Sequence, residues 1–402
     1  MVTGVEATRA HAAFRLRIGR GVPIISHRQT GKPLMSSTKP DRREFTKALL
    51  AASTASLWSG RRPEAPPLPQ DRRLGFALVG LGSLSTNQIA PAFERTRFCR
   101  LAGIVTGTPA KAATWMARHG IPNEAVYSYA TMERMAANPA IDVAYVVTPN
   151  ALHAEHAIAA ARAGKHVLCE KPMEVSVEKC EAMIAECERA DRQLAIGYRC
   201  QFEPHHLECV RLAREEAFGQ LRLLEAGFGF RIGDPSQWRL DPSLAGGGPL
   251  MDVGIYALQA VRMLTGEEPT LVSAVQTVTD PVKFRGVEET MAFQLSFPGG
   301  VIASCTTTYN GSGLNFFSAF CDRGAFGMGP AYNYSGLRGW RSDGEDLRFD
   351  PVDQFAVEMD AFAQCIMEGR PTTVPGEEGL KDVAILMATY RASRAGTAVS
   401  LT

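Results

Sequence analysis

Several features are missing from this 402-residue chain, and each absence removes a class of function. No stretch of 18 or more uninterrupted apolar residues occurs, which argues against a permanent helical membrane span. The nine cysteines (99, 169, 180, 187, 200, 209, 305, 321 and 365) include no Cys-x-x-Cys pair. A thiolate zinc site, or any other metal, is therefore not expected, and most of these cysteines read as small buried apolar residues. Neither sign of charge is in excess, with 43 basic against 42 acidic side chains and a net charge of +1. A nucleic-acid partner needs a concentrated positive surface, so none is expected. No internal repeat of fixed period is visible. What remains, 45% hydrophobic and 21% charged residues, is an ordinary globular composition at a length suited to roughly two domains.

Residues 1–58 read as a leader, with Met35 a candidate start. Asp41-Arg42-Arg43-Glu44-Phe45-Thr46-Lys47 precedes a moderately apolar run over 48–58, the form of a twin-arginine export signal. The expected location is thus the periplasm. The plain alternative is a basic arm followed by a short helix, and no clean Ala-x-Ala cleavage triplet is present. Residues 59–73 are proline-rich and read as an extended arm.

Residues 74–197 carry the pattern of a dinucleotide-binding Rossmann domain. An apolar strand over 74–79 runs into Gly80-Leu81-Gly82-Ser83-Leu84-Ser85, a G-x-G-x-x-S loop before a helix expected over 87–95. The first glycine permits the tight turn, the second lets backbone approach a pyrophosphate, and the helix N-terminus attracts its charge. Ser85 stands where a third glycine is usual; a small residue still allows close helix–strand packing. The second strand ends in Thr106-Gly107-Thr108-Pro109-Ala110-Lys111, without the acid that would hold a ribose 2′-hydroxyl. Thr106 can donate a hydrogen bond and Lys111 can supply charge to a 2′-phosphate, which favours NADP; the plain alternative is that Lys111 is a solvated residue of the next helix. A strand over 141–147 ends in Thr148-Pro149-Asn150 and His153. Another over 166–169 delivers Glu170-Lys171-Pro172, and a third ends in Tyr198-Arg199. Strand ends of this kind are where an open α/β sheet places its ligand. Pro172 biases Lys171 away from helical geometry. Arg199 can hold a carboxamide or phosphate, or make a structural ion pair.

Residues 198–402 change pattern. A helix over 204–218 precedes β-rich runs at 221–231, 271–279, 290–297, 301–309 and 316–321, with Pro298-Gly299-Gly300 as a hairpin connection. An α+β domain with an open, mainly antiparallel sheet is expected. Interrupting it, Ala245-Gly246-Gly247-Gly248-Pro249 leads into a helix over 250–264. There Asp252 and Tyr256 are spaced i, i+4 and share a face. Helices over 352–368 and 379–394 complete the fold and are expected to pack back on the first domain.

The set Gly80-Leu81-Gly82, Thr148-Pro149-Asn150…His153, Glu170-Lys171-Pro172, Tyr198-Arg199 and Gly246-Gly247-Gly248…Asp252-x-Gly254-x-Tyr256 resembles the Gfo/Idh/MocA oxidoreductase family. Arg72-Arg73, Thr106…Lys111, Trp238-Arg239-Leu240 and Pro375-Gly376-Glu377-Glu378-Gly379 point within it to the glucose–fructose and aldose–aldose oxidoreductase type. Ser83 and Thr148 depart from that type, where Lys and Leu are found. The resemblance implies export, an arm over the cofactor, and NADP kept through turnover. It places residues 80–84 at the pyrophosphate, Thr106 and Lys111 at the 2′-phosphate, and Tyr129 near the adenosine. Asn150, His153, Glu170, Lys171 and Arg199 would line the nicotinamide side, with Trp238, Arg239 and Tyr334 completing the pocket. The implied reaction oxidises an aldose at C1 to a lactone and reduces a second sugar to an alditol. Tyr256 is the expected proton carrier, Lys171 the cation that lowers its pKa, and Asp252 the orienting carboxylate. A homodimer or homotetramer is expected. The rival readings are an aldose or inositol dehydrogenase that releases its cofactor, a non-catalytic sugar or dinucleotide sensor, and a NAD-dependent glycosidase.

Overall fold

The computed structural model describes residues 72–401. The leader, the export signal and nearly all of the proline-rich arm lie outside the described residues. At the near end, Arg72 pairs with Asp142 and Arg73 donates to the Phe93 and Thr96 carbonyls.

The first sheet is built from β1 (Leu74–Val79), β2 (Cys99–Val105), β3 (Val126–Tyr127), β4 (Val143–Val146), β5 (His166–Glu170) and β6 (Leu194–Gly197). All pairs are parallel, in the order β3-β2-β1-β4-β5-β6. Every residue of β1, β4 and β6 is buried, because helices cover both faces of such a sheet and leave no polar side. Those helices are α1, a wide-turned segment Ser85–Ile89 running into Ala90–Ala92, with α2 (Pro109–His119), α3 (His153–Arg162) and α4 (Val177–Arg189). Ser176 caps α4 by accepting from Lys179 N, and Gly164, at φ +72°, follows α3. Chain order reverses between β1 and β4, and a crevice forms where their C-terminal ends part.

After α5 (Pro204–Arg214) comes the second sheet: β7 (Leu221–Gly229), then α6, a wide-turned Leu250–Gly254 continuing as α-helix through Ile255–Thr265, then β8 (Leu271–Thr277), β9 (Thr290–Ser296), β10 (Ile302–Thr308), β11 (Asn315–Cys321), β12 (Gly324–Met328) and β13 (Gly339–Arg341). Helices α7 (Gln354–Glu368) and α8 (Gly376–Ala395) and the short β14 (Val399–Ser400) end the chain. The strand order is β13-β12-β11-β7-β10-β9-β8-β14; only β7 and β10 run parallel, so the sheet is mainly antiparallel as expected. Its inner face, including Met291, Phe293 and Leu295, packs under α6 and α8, while Leu223, Leu271, Val275 and Ile302 face outward.

Elements differ from the expectation in several places: the helix expected over 204–218 ends at Arg214, the last helix starts at Gly376 rather than 379, and the two-residue β3 was not expected. The helix after the glycine turn covers Ser85–Ala92 rather than 87–95, so it starts directly at the turn. The helix carrying Asp252 opens with a wide turn, a local geometry that re-aims side chains. Strands β12, β13 and β14 carry no distinct sequence signal, being short and set at or near the sheet edges.

The two halves are tied by polar contacts. Asp360 of α7 accepts from the backbone amides of Arg97 and Phe98, and Ile196 N donates to Val374 O at 2.9 Å. Asp382 of α8 is fully buried; it accepts from Tyr198 Oη and Arg262 Nη1, both at 2.6 Å, and from Gln259. Asp382→Ala should therefore lower stability by about 3 kcal/mol, because the Arg262 guanidinium loses its buried counter-charge. A urea-unfolding series checks this; a loss well under about 1 kcal/mol, as for an exposed pair, would show that Glu268 and Glu378 compensate fully.

Candidate active site

The glycine turn sits at the mouth of the crevice. Gly80 has φ +97°, and a Cβ there would stand 2.9 Å from both Thr148 Cγ2 and the Val147 carbonyl oxygen, so only glycine fits. A Cβ on Gly82 would meet nothing within 4 Å, which leaves its backbone open to a ligand. Ser85 does more than stand in for a glycine: its buried hydroxyl donates to Gly80 O at 2.6 Å and holds the turn. Thr86 N and Oγ1 both donate to Gly82 O. At the tip of β2, Thr106 Oγ1 accepts from Thr108 N, and Lys111 is exposed in the first turn of α2. Tyr129 stacks on His156 with ring centroids 4.6 Å apart, and His156 Nδ1 is 3.0 Å from Thr148 Oγ1.

The other end of the crevice is where the two sheets meet. Lys171, just past β5, donates from Nζ to Asp252 O at 2.7 Å and lies 3.4 Å from Asp252 Oδ1. The same ammonium is 4.6 Å from the centroid of the Tyr256 ring. Asp252 Oδ2 accepts from Arg239 Nε at 2.9 Å and from Tyr309 Oη at 2.8 Å. Burial opposes the charge on Asp252, but Arg239 and Lys171 outweigh it and hold the carboxyl far below the usual carboxylate range. The glycine run before α6 is a point of close contact. Side chains at Gly246, Gly247 and Gly248 would strike Val175, Tyr390 and the Glu288 carbonyl. Glu288, buried, accepts from Gly248 N and Leu250 N at 2.9 and 3.0 Å and caps the start of α6.

Arg199 is buried, and its donors are committed. Nε reaches Tyr256 Oη at 3.2 Å, Nη2 reaches Tyr332 O at 2.6 Å, and Nη1 reaches Gln354 Oε1. It makes no direct ion pair among the described residues and orients Tyr256, while still lining the pocket. This corrects the expectation that Lys171 lowers the Tyr256 pKa. Lys171 faces the ring, Arg199 faces the hydroxyl, and burial pushes the phenol well above its ordinary value despite Arg199. Glu170 accepts from Tyr145 Oη at 2.8 Å, and burial raises its carboxyl. His153 is buried, with Nε2 2.8 Å from Thr148 O and Nδ1 3.0 Å from Pro172 O, and burial pushes it down to about 4. Its ring lies between the two strand-end loops and, being neutral, donates to only one of the two carbonyls. Asn150 Nδ2 donates to Ala245 O at 2.9 Å and ties the halves together. Arg239 lies over the Trp238 ring, and Tyr334 rests against Phe355.

Every candidate residue named above, from Gly80, Leu81, Ser83 and Leu84 through Pro149 to Tyr334, lines one pocket of about 1250 Å³. Thr106 and Lys171 end strands three positions apart in the sheet, roughly 14 Å at the usual strand spacing. The open Gly82 backbone, the cationic end at Lys111 and the charged end at Lys171 fit an extended dinucleotide. No group of His, Cys, Asp or Glu among the described residues could hold a metal. Residues that sequence reasoning missed are Tyr309, Glu288, His156, Phe228 and Tyr332. Each joins the site through a fold contact and not through a local motif.

The model for the oxidoreductase family with an NAD-binding Rossmann fold matches residues 74–198, and the model for the GFO/IDH/MocA C-terminal domain matches 206–327. The chain belongs to the Gfo/Idh/MocA oxidoreductase family. Among family members, a D-xylose 1-dehydrogenase [NADP(+)] from Haloarcula marismortui is 33% identical over 341 residues, covering 82% of this chain and 94% of that one. A second xylose dehydrogenase, from Haloferax volcanii, is 29% identical over 333 residues, 81% of this chain and 99% of the other. Among solved structures, an aldose-aldose oxidoreductase from Caulobacter crescentus, complexed with glycerol, is 44% identical with a TM-score of 0.80, covering 82% of this chain and 100% of that one.

Proposed function

We propose that this family member is a periplasmic, NADP-dependent sugar oxidoreductase that oxidises an aldose at C1 to a lactone and reduces a second sugar to an alditol with its cofactor retained. The observation that carries the reading is the meeting of Lys171, Asp252 and Tyr256 at one end of a dinucleotide-shaped pocket. The NADP-linked xylose dehydrogenases and the aldose-aldose oxidoreductase support a sugar substrate and NADP. The export reading rests on Arg42-Arg43 before the apolar run.

Residues 80–84 would hold the pyrophosphate and Thr106 with Lys111 the 2′-phosphate; Tyr129 would cover the adenosine. The nicotinamide, when bound near Lys171, supplies the hydride acceptor for C1 and the donor for the second sugar. The protein supplies the rest. Lys171, kept in place by Asp252, binds the oxygen on the reacting carbon. Tyr256 exchanges a proton with that oxygen, and Arg199 Nε–H steadies negative charge on the phenol while it passes. Arg239 and Tyr309 fix Asp252, so the cation over the ring does not wander. The outward Leu223, Leu271, Val275 and Ile302 support a homodimer or homotetramer built on the second sheet; light scattering should give such a mass, and a monomer would remove this reading.

Tyr256→Phe and Lys171→Ala should each reduce turnover at least about 10²-fold, the usual range for proton-transfer groups, with nucleotide binding retained. Near-normal rates in both would undo the assignment. Protein recovered from the periplasmic fraction and given glucose and fructose, without added nucleotide, should yield gluconolactone and sorbitol. Recovery from the cytoplasm alone would remove the export reading, and stoichiometric free NADPH would favour a releasing dehydrogenase.

A further inference from the structure

The loop after β12 returns to the pocket at Tyr332-Asn333-Tyr334, and all three residues line it. Its contacts set it at the end that holds Tyr256. The Tyr332 ring lies 5.6 Å from the Tyr256 ring. The Arg199 guanidinium lies over the rings of both Tyr256 and Tyr334, 4.9 and 4.7 Å from their centroids. Arg199 Nη1 is 3.4 Å from Asn333 O, while Nε of the same group reaches Tyr256 Oη at 3.2 Å. One arginine therefore separates the Asn333 backbone from the Tyr256 hydroxyl.

The loop is fixed by two amides from regular elements. Asn315, which opens β11, accepts through Oδ1 from Ala331 N at 2.8 Å and from Tyr332 N at 2.7 Å. Gln354, buried at the start of α7, donates from Nε2 to Asn333 O at 3.1 Å and to Tyr334 O at 3.4 Å. The first of these amides decides which way Asn333 points. The oxygen and nitrogen of an amide are assigned from their hydrogen-bond partners. Two backbone N–H donors demand the oxygen of Asn315, so its nitrogen faces Asn333. That Nδ2 donates to Asn333 Oδ1 at 2.7 Å. The other half of the Asn333 amide is then Nδ2, with two N–H donors. Asn333 is exposed, and no acceptor among the described residues takes them.

We propose that Asn333 is a specificity-determining residue: its Nδ2 donates to a hydroxyl oxygen of the sugar away from C1, and Asn315 positions it. The inference rests on the reading that the sugar reacts beside Tyr256. Hydroxyl groups away from C1 distinguish one aldose from another, and the reaction leaves them untouched. A donor fixed by a strand and a helix rewards an oxygen at one place. It is left unpaired when that oxygen is missing or turned away, which costs binding. Asn333 thus selects among sugars and moves neither proton nor hydride.

The test compares Asn333→Ala with wild type on D-xylose, D-glucose and the monodeoxy forms of the better of the two. Asn333→Ala should raise KM for that sugar roughly tenfold, with kcat within about twofold and NADP affinity unchanged. One monodeoxy sugar should already be poor for wild type and lose nothing further in Asn333→Ala, because it lacks the hydroxyl that the amide held. The other monodeoxy sugars should lose the full factor. Asn315→Asp keeps both backbone bonds but faces Asn333 with an acceptor, so the Asn333 amide turns over and presents its oxygen. KM should rise there too, although the loop stays in place. A wild-type KM for every sugar in Asn333→Ala, or an equal loss for all the monodeoxy forms, would overturn the assignment. So would weaker NADP binding with KM unchanged, since the amide would then serve the nucleotide. If Asn333→Ala fails to fold, an unchanged KM in Asn315→Asp overturns it alone. An inactive Tyr256→Phe beside a normal Asn333→Ala removes the selectivity and leaves the sugar chemistry standing; an active Tyr256→Phe removes both.

Discussion

Asp252 lies between two cations, Lys171 and Arg239, that approach from different parts of the chain, and it carries its charge in a largely enclosed place at the edge of the pocket. A largely enclosed carboxylate either neutralises or is paired, and here Arg239 and Lys171 keep it charged. Replacing such a cluster by apolar side chains could leave the protein as stable, so its worth is in position. Lys171 comes from a strand end of the first sheet, Asp252 from a helix over the second, Arg239 from the loop before it and Tyr309 from the end of β10. Their convergence fixes where the ammonium sits relative to the Tyr256 ring.

That convergence is held by further contacts within the protein. Glu288 caps the helix bearing Asp252 and Tyr256, and Tyr390 of α8 donates to the same carboxylate at 2.9 Å. The buried ring of His153 packs between the loop that carries Lys171 and the loop after β4. Asn150 joins that same region to Ala245, at the start of the glycine run. These residues restrict the motion between the sheets, so the reacting groups are positioned by rigid elements rather than by flexible loops.

Most of the first domain could be read from local pattern, though the two-residue β3 could not. Its longer strands are mostly apolar runs, and its ligand-facing residues follow them closely: Gly80 after β1, Thr106 after β2, Thr148 after β4, Lys171 after β5. The second sheet was visible as alternating runs, but its short strands β12, β13 and β14 were not, since a strand of two to five residues leaves too little periodicity to detect. The wide turns at Ser85–Ile89 and Leu250–Gly254 were also hidden; they depend on backbone packing and have no composition of their own. Tyr309 and Glu288 were missed because their partners lie 57 and about 40 positions away in sequence and no spacing rule links them. Arg199 was noticed, but its orientation toward Tyr256 depends on Tyr332, Asn333 and Gln354, all more than a hundred residues distant.

The same long-range contacts change what Tyr256 can do. A phenol eased down by a nearby ammonium would act as a resting base. With Lys171 over the ring face and burial dominating, the phenol instead stays protonated. A protonated phenol serves sugar reduction directly, as a proton donor to the carbonyl oxygen. It serves oxidation only if its own proton has somewhere to go at the moment it takes another. Arg199 Nε can steady the oxygen but cannot accept a proton, since guanidinium stays charged. Asp252 is held too acidic to accept one. Lys171 is committed to Asp252 as a donor. None of these three groups can therefore take up the proton that Tyr256 must release in oxidation.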